Sequence, residues 1–143
     1  MLARQSPIDA SLECTSKNWE GFVFDPEIDP AVLYAQMRSI QGRKYDFGVD
    51  FYPNFNSTEL ERYYRDMRYQ PEGCSCLSPW VVAYVFPDGE LRPCLNSSYS
   101  FGNITQKPLA VLWNGKKAIT YRAALIKHGM FPVCARCTEL YRY

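Results

Sequence analysis

The sequence predicts an α+β chain in two parts, and three observations carry that prediction. Helix, strand and helix patterns succeed one another over residues 30–67. A β-hairpin pattern runs from Trp80 to Cys94 around Pro87-Asp88-Gly89. Helical patterns then lead to a Cys-x-x-Cys formed by Cys134 and Cys137. With 143 residues, 47% of them hydrophobic, and no repeat or low-complexity run, the chain suits a packed core rather than a disordered tract.

The elements are read in order. Residues 1–29 show little periodicity, with Asp25-Pro26 and Asp29-Pro30 as turn signals. Pro30 opens a helix through Val32, Leu33 and Met37 that stops near Gly42. Tyr45 to Phe51 reads as a strand, ended by Pro53 and Asn54. Asn56 with Glu59 forms a capping-box pattern for a second helix carrying Leu60, Tyr63, Tyr64 and Met67. A single strand between helices seeks parallel neighbours, so this half is expected to be the tail of a larger α/β domain. The turn-rich Gln70-Pro71-Glu72-Gly73 marks a boundary, dividing the chain into residues 1–72 and 73–143.

Beyond it, Trp80 to Phe86 reads as a strand of β-branched and aromatic residues, and Glu90 to Cys94 as its antiparallel return. Gly89 is free to take the positive φ that the tight turn requires. Ser97 to Asn103 reads as a polar loop. Pro108 opens a short helix through Trp113, broken at Asn114-Gly115. Lys116 to His128 reads as a longer helix with Ile119, Leu125 and Ile126 inward and Gly129 as its stop.

The net charge of +1 gives no long-range attraction for nucleic acid or anionic lipid, so neither a nucleic-acid nor a membrane partner is expected. The longest apolar run, Trp80 to Phe86, is far short of a bilayer span, and Met1 to Ala10 lacks a basic-then-apolar leader. A soluble, cytoplasmic protein is expected. Six cysteines in a reducing compartment point to metal or redox chemistry rather than to a disulfide framework.

Four of them form two pairs. Cys76 and Cys94 bracket the hairpin, and Cys134 and Cys137 close the chain. Two pairs of soft thiolates brought together by folding make a four-sulfur metal site, suited to an iron–sulfur cluster or to structural zinc. Cys74 is an alternate for Cys76, while Cys14 has no partner nearby in sequence.

Cys76 is followed after twelve residues by Gly89, and Gly89 after four by Cys94. Together with Pro79-Trp80, Arg92-Pro93-Cys94, Gly102-Asn103-Ile104, Leu112-Trp113-Asn114-Gly115 and the final Cys-x-x-Cys, this resembles the auxiliary-cluster domain of radical S-adenosylmethionine enzymes. The full form is called SPASM and the shortened form twitch. The resemblance implies an auxiliary [4Fe–4S] cluster held by Cys76, Cys94, Cys134 and Cys137, with a role in electron transfer and substrate-side organisation. It also implies a peptide or small-molecule substrate and an electron donor. The segment Gly48 to Tyr64, with Phe51-Tyr52-Pro53-Asn54, resembles the end of the radical SAM partial barrel.

Two departures shape that expectation. Thr138 to Tyr143 contains no further cysteine, so the one-cluster twitch form fits better. No Cys-x-x-x-Cys-x-x-Cys occurs anywhere, so S-adenosylmethionine is expected only in a full-length parent whose barrel is supplied in cis, and no catalytic residue is expected here. The competing reading is a zinc-stabilised structural or interaction module without redox role.

The remaining residues have plainer readings. Arg92 and Arg136, if near the sulfurs, would favour a more negative state. His128 reads as a helix-terminal imidazole, Trp80 and Trp113 as core anchors, and Asp88 as a turn residue. Lys116, Lys117 and Arg122 read as a solvated helix face.

Overall fold

A computed structural model describes residues 27–142 apart from Cys74 and residues 132 and 133. Cys14 and nearly all of the expected irregular lead-in therefore lie outside the described residues. Helix α1 spans Pro30–Gln41; the Asp29 side chain accepts from the Ala31 amide at its start, and the amide of Gly42 closes its end. Helix α2 spans Ser57–Arg65 and carries the expected capping box, the Asn56 and Glu59 side chains each accepting from the other's amide. The two helices pack together around Met37, Phe55 and Leu60, with Tyr63, Tyr64 and Phe51 against them. Met67 lies just beyond α2.

The expected strand at Tyr45 to Phe51 does not form. An isolated extended segment has no ladder to satisfy its amides and carbonyls, and no strand among the described residues lies beside this one. Residues 30–67 thus show two packed helices joined by an irregular segment.

The second half is built on a small antiparallel sheet in the order β1-β2-β3, comprising Tyr84–Val85, Glu90–Arg92 and Gly102–Asn103. Tyr84 faces Arg92, and Leu91 faces Val85 on one side and Gly102 on the other. The strand expected from Trp80 to Phe86 is shorter than its composition suggests. Its first residues belong to a single helical turn, α3 (Ser78–Val81), which Pro79 opens by fixing φ where no amide is needed. Trp80 is left partly exposed rather than anchoring the core.

The polar loop after Cys94 supplies the third strand, which the sequence reading missed. Asn103 accounts for it. Its side-chain amide donates to the Asp88 carbonyl at 2.8 Å, its oxygen accepts from Thr105, and the Ile104 amide reaches the Gly89 carbonyl. Gly89 takes φ +84°, as the turn requires, and Asp88 accepts from the Glu90 amide.

Helix α4 (Leu109–Trp113) and helix α5 (Lys116–His128) follow, with Gly129 at φ +79° ending the latter. Helix α5 turns inward Ala118, Tyr121, Ala124 and Leu125, not Ile119 and Ile126, which are 57% and 74% exposed. Two apolar stripes compete on this helix. The one containing Tyr121 wins because that ring stacks on Tyr99 and meets Phe101 and Phe131 edge-on. Leu91, Phe101, Leu112 and Phe131 complete this core.

A 3-10 turn at Thr138–Tyr141 then crosses to the first half. Tyr141 packs edge-on against Phe55 with centroids 5.0 Å apart, and the Tyr52 hydroxyl donates to the Thr138 carbonyl. Among the described residues, no helix is long and apolar enough to cross a membrane.

Gly102 gives this architecture a direct test. It sits at φ +135°, and a Cβ there would lie 2.7 Å from Leu112 Cδ2. Gly102→Ala is expected to cost about 2–3 kcal/mol by combining backbone strain with overpacking. Gly48→Ala, where a Cβ meets nothing within 4 Å, is expected to be close to neutral. Urea denaturation of both variants checks the contrast.

Candidate metal centre

The four cysteines that the sequence singled out line one small cavity, of about 20 Å³, together with Pro79, Asn96, Tyr121, Leu125, Glu139 and Leu140. All four carry free thiols and are half-buried. Cys76 is placed by the segment entering α3, and Cys94 by the end of β2, where buried Pro93 stops the strand. Cys134 and Cys137 come from the terminal turn, whose Cys137 amide donates to the Cys134 carbonyl at 3.1 Å.

That turn depends on Arg136, which adopts φ +54°, a left-handed conformation costly for a residue with a Cβ. Its backbone is held from both sides. The Arg136 amide donates to the Tyr69 carbonyl at 2.8 Å, and the Tyr63 hydroxyl donates to the Arg136 carbonyl at 3.0 Å. Its guanidinium lies over the Tyr63 ring at 4.8 Å and reaches Met67 Sδ. The first half of the chain thereby fixes the ligand turn of the second.

Each sulfur also meets backbone donors. Cys76 accepts from the Ser78 amide and hydroxyl, Cys94 from the amides of Asn96 and Ser97, and Cys137 from those of Glu139 and Leu140. Cys134 accepts from the backbone of Phe131. Amides aimed at sulfur stabilise thiolates and the negative charge of a bound centre. Burial nevertheless dominates in the metal-free chain. It pushes Cys94 up to about 12, Cys134 well above the ordinary thiol range, and Cys76 and Cys137 upward as well. The metal-free cavity therefore holds four neutral thiols, and any metal bound by them would have to displace their protons.

Two expectations about cations need correction. Arg92 pairs with Glu90 and lies over the Phe86 ring at 4.1 Å, and Arg136 faces Tyr63 and Tyr64. Neither lines the cavity. Arg122 is not on a solvated face. Its Nε donates to the Pro79 carbonyl and its Nη1 to the Trp113 carbonyl, both at 2.7 Å, beneath the Trp113 ring, while Nη2 is buried without a partner. Arg122 thus fastens the α3 turn that follows Cys76 to α4 and α5.

Sequence reasoning missed Glu139 as a wall of the cavity, because a carboxylate two residues past a cysteine carries no pattern of its own. His128 is exposed at the end of α5, away from the cavity lining. Cys74 lies outside the described residues. Among the described residues, no group of three or more cysteine, histidine or carboxylate side chains is arranged to hold a single metal ion, although the four thiols line one cavity.

Residues 74–138 match the family model of SPASM, an iron–sulfur cluster-binding domain. The segment that carries the four cavity cysteines is similar to a SPASM domain. All four cavity cysteines fall inside the matched residues, as do the hairpin and helices α3, α4 and α5. Comparison with curated proteins and with solved structures found no match.

The raised thiols make a measurable prediction. With Cys94 held near 12 against an ordinary 9.0, its thiolate fraction at pH 8 is about a thousandfold below that of an exposed thiol. In metal-free protein at that pH, mass-spectrometric mapping should show Cys94 and Cys134 alkylated by iodoacetamide far more slowly than Cys76 and Cys137. Alkylation of all four at the rate of the urea-unfolded chain would contradict this burial.

Proposed function

We propose that this SPASM-like segment holds one auxiliary [4Fe–4S] cluster on Cys76, Cys94, Cys134 and Cys137, serving electron transfer and substrate-side organisation in a radical SAM oxidoreductase. The single observation that carries this reading is the convergence of four free thiols, from two distant parts of the chain, on one cavity. The donor set fits the group: four thiolates match the four irons of such a cluster. Bound there, the cluster supplies one-electron transfer.

The chain's own residues define what such a site can do. Four protein sulfurs leave no iron open to substrate, which favours a redox or organising role over direct ligation of a reactant. Tyr121, Leu125, Leu140 and Pro79 form an apolar wall that keeps water from the sulfurs. The amides of Ser78, Asn96, Ser97, Glu139 and Leu140 hold the sulfur charges in place. The three-cysteine motif that cleaves S-adenosylmethionine is not among these 143 residues, so in this reading the radical-generating barrel, the substrate and the electron donor are partners of the domain.

Anaerobic reconstitution with iron and sulfide tests the proposal. The wild-type chain is expected to turn brown and to give an EPR signal on reduction, with iron and sulfide bound in equal amounts. Cys94→Ser and Cys137→Ser are expected to lose that loading, and Cys14→Ser to keep it. A colourless protein with one tightly held zinc would establish the structural reading instead. Full loading of Cys137→Ser would remove the terminal pair from the site.

A further inference from the structure

We infer that Glu139 is the residue that sets the charge balance of the four-thiol cavity and so tunes the reduction potential of the cluster held there. The inference rests on the cluster reading above, but it is carried by a residue one position beyond the matched SPASM segment. Glu139 lines the cavity alongside all four cysteines. Three elements hold its carboxylate in place. Oε2 accepts from the Ser78 hydroxyl at 3.1 Å and from the Tyr84 hydroxyl at 3.4 Å, and Arg142 Nη1 bridges both oxygens at 3.2 and 3.1 Å.

The link to sulfur is short on both sides. The Glu139 amide hydrogen-bonds the sulfur of Cys137. Ser78, fully buried, has one hydroxyl proton and two acceptors, the Glu139 carboxylate and the sulfur of Cys76. One-electron reduction of a thiolate-bound cluster adds a further negative charge to the cavity. A fixed carboxylate at the wall opposes that charge, and low local dielectric strengthens the opposition. Arg142, half-exposed at the outer edge, offsets part of it. The pair therefore works in opposite senses on one quantity.

A purely structural latch would behave differently. Gln at position 139 keeps the length of the side chain and an oxygen that accepts from Ser78 and Tyr84, so a latch would survive while the charge is lost. The test uses the full chain, reconstituted anaerobically as wild type, Glu139→Gln and Arg142→Gln. Iron and sulfide are counted first. Midpoint potentials are then measured by spectroelectrochemical titration with dithionite, which gives one electron per cluster. Glu139→Gln is expected to shift the potential upward and Arg142→Gln to shift it downward. Unmoved potentials, or shifts of the same sign, would overturn the inference and leave the cluster reading intact. If Glu139→Gln loads no cluster, Arg142→Gln decides alone: a lower potential supports the assignment and an unchanged one defeats it. A wild-type chain that binds no iron and sulfide would defeat the cluster reading itself, and this inference with it.

Discussion

The reversal of the chain at Arg136 is the constraint on which the rest of the site depends. The left-handed Arg136 lies between Cys134 and Cys137 in the short turn that brings both to the cavity beside the hairpin cysteines. A conformation that costs on the order of 1 kcal/mol must be held by its surroundings. The carbonyl of Tyr69 and the hydroxyl of Tyr63 hold it from the backbone, and the rings of Tyr63 and Tyr64 hold it from the side chain. The helices of the first half are thus part of the four-thiol cavity's architecture, although none of their cysteine, histidine or carboxylate side chains lines it. Tyr141 on Phe55 and Tyr52 on Thr138 extend the same tie beyond the last cysteine.

Around this turn the protein balances two opposed demands. A cavity walled by Tyr121, Leu125 and Leu140 would shield a proposed iron–sulfur centre from water, and the same burial makes four thiolates expensive without metal. Amides aimed at the sulfurs soften that cost, and neutral thiols remove most of what remains. Metal binding to such a site is coupled to proton release and to folding, an effect on the order of 10 kcal/mol for small thiolate sites. Arg122 shows the same economy elsewhere. A guanidinium that donates to two carbonyls and lies against an aromatic face holds the Cys76 loop to the helices without a carboxylate partner, leaving one buried nitrogen unpaired.

Features governed by local chemistry were legible in the sequence. Pro30 and Gly42 bound α1, Asn56 and Glu59 cap α2, Gly89 makes the turn and Gly129 ends α5, because each depends on residues within one or two turns. The four cavity cysteines were legible because two pairs of thiols admit few uses in a chain with this composition. Features governed by distant partners were not. Tyr45 to Phe51 has the composition of a strand but no neighbouring strand among the described residues. Gly102 and Asn103 look like loop residues until Asp88 and Leu91 supply the other side of the ladder. The choice between the Tyr121 and Ile119 stripes was settled by rings on other elements, and the roles of Arg122 and Glu139 by carbonyls and hydroxyls far away in sequence.

The claim that one cavity on this chain holds a single multi-iron cluster is tested most directly by native mass spectrometry of the anaerobically reconstituted protein. The account predicts one dominant species carrying the mass of four irons and four sulfides, lost together on acidification. A dominant species carrying a single metal ion, or two clusters per chain, would contradict it.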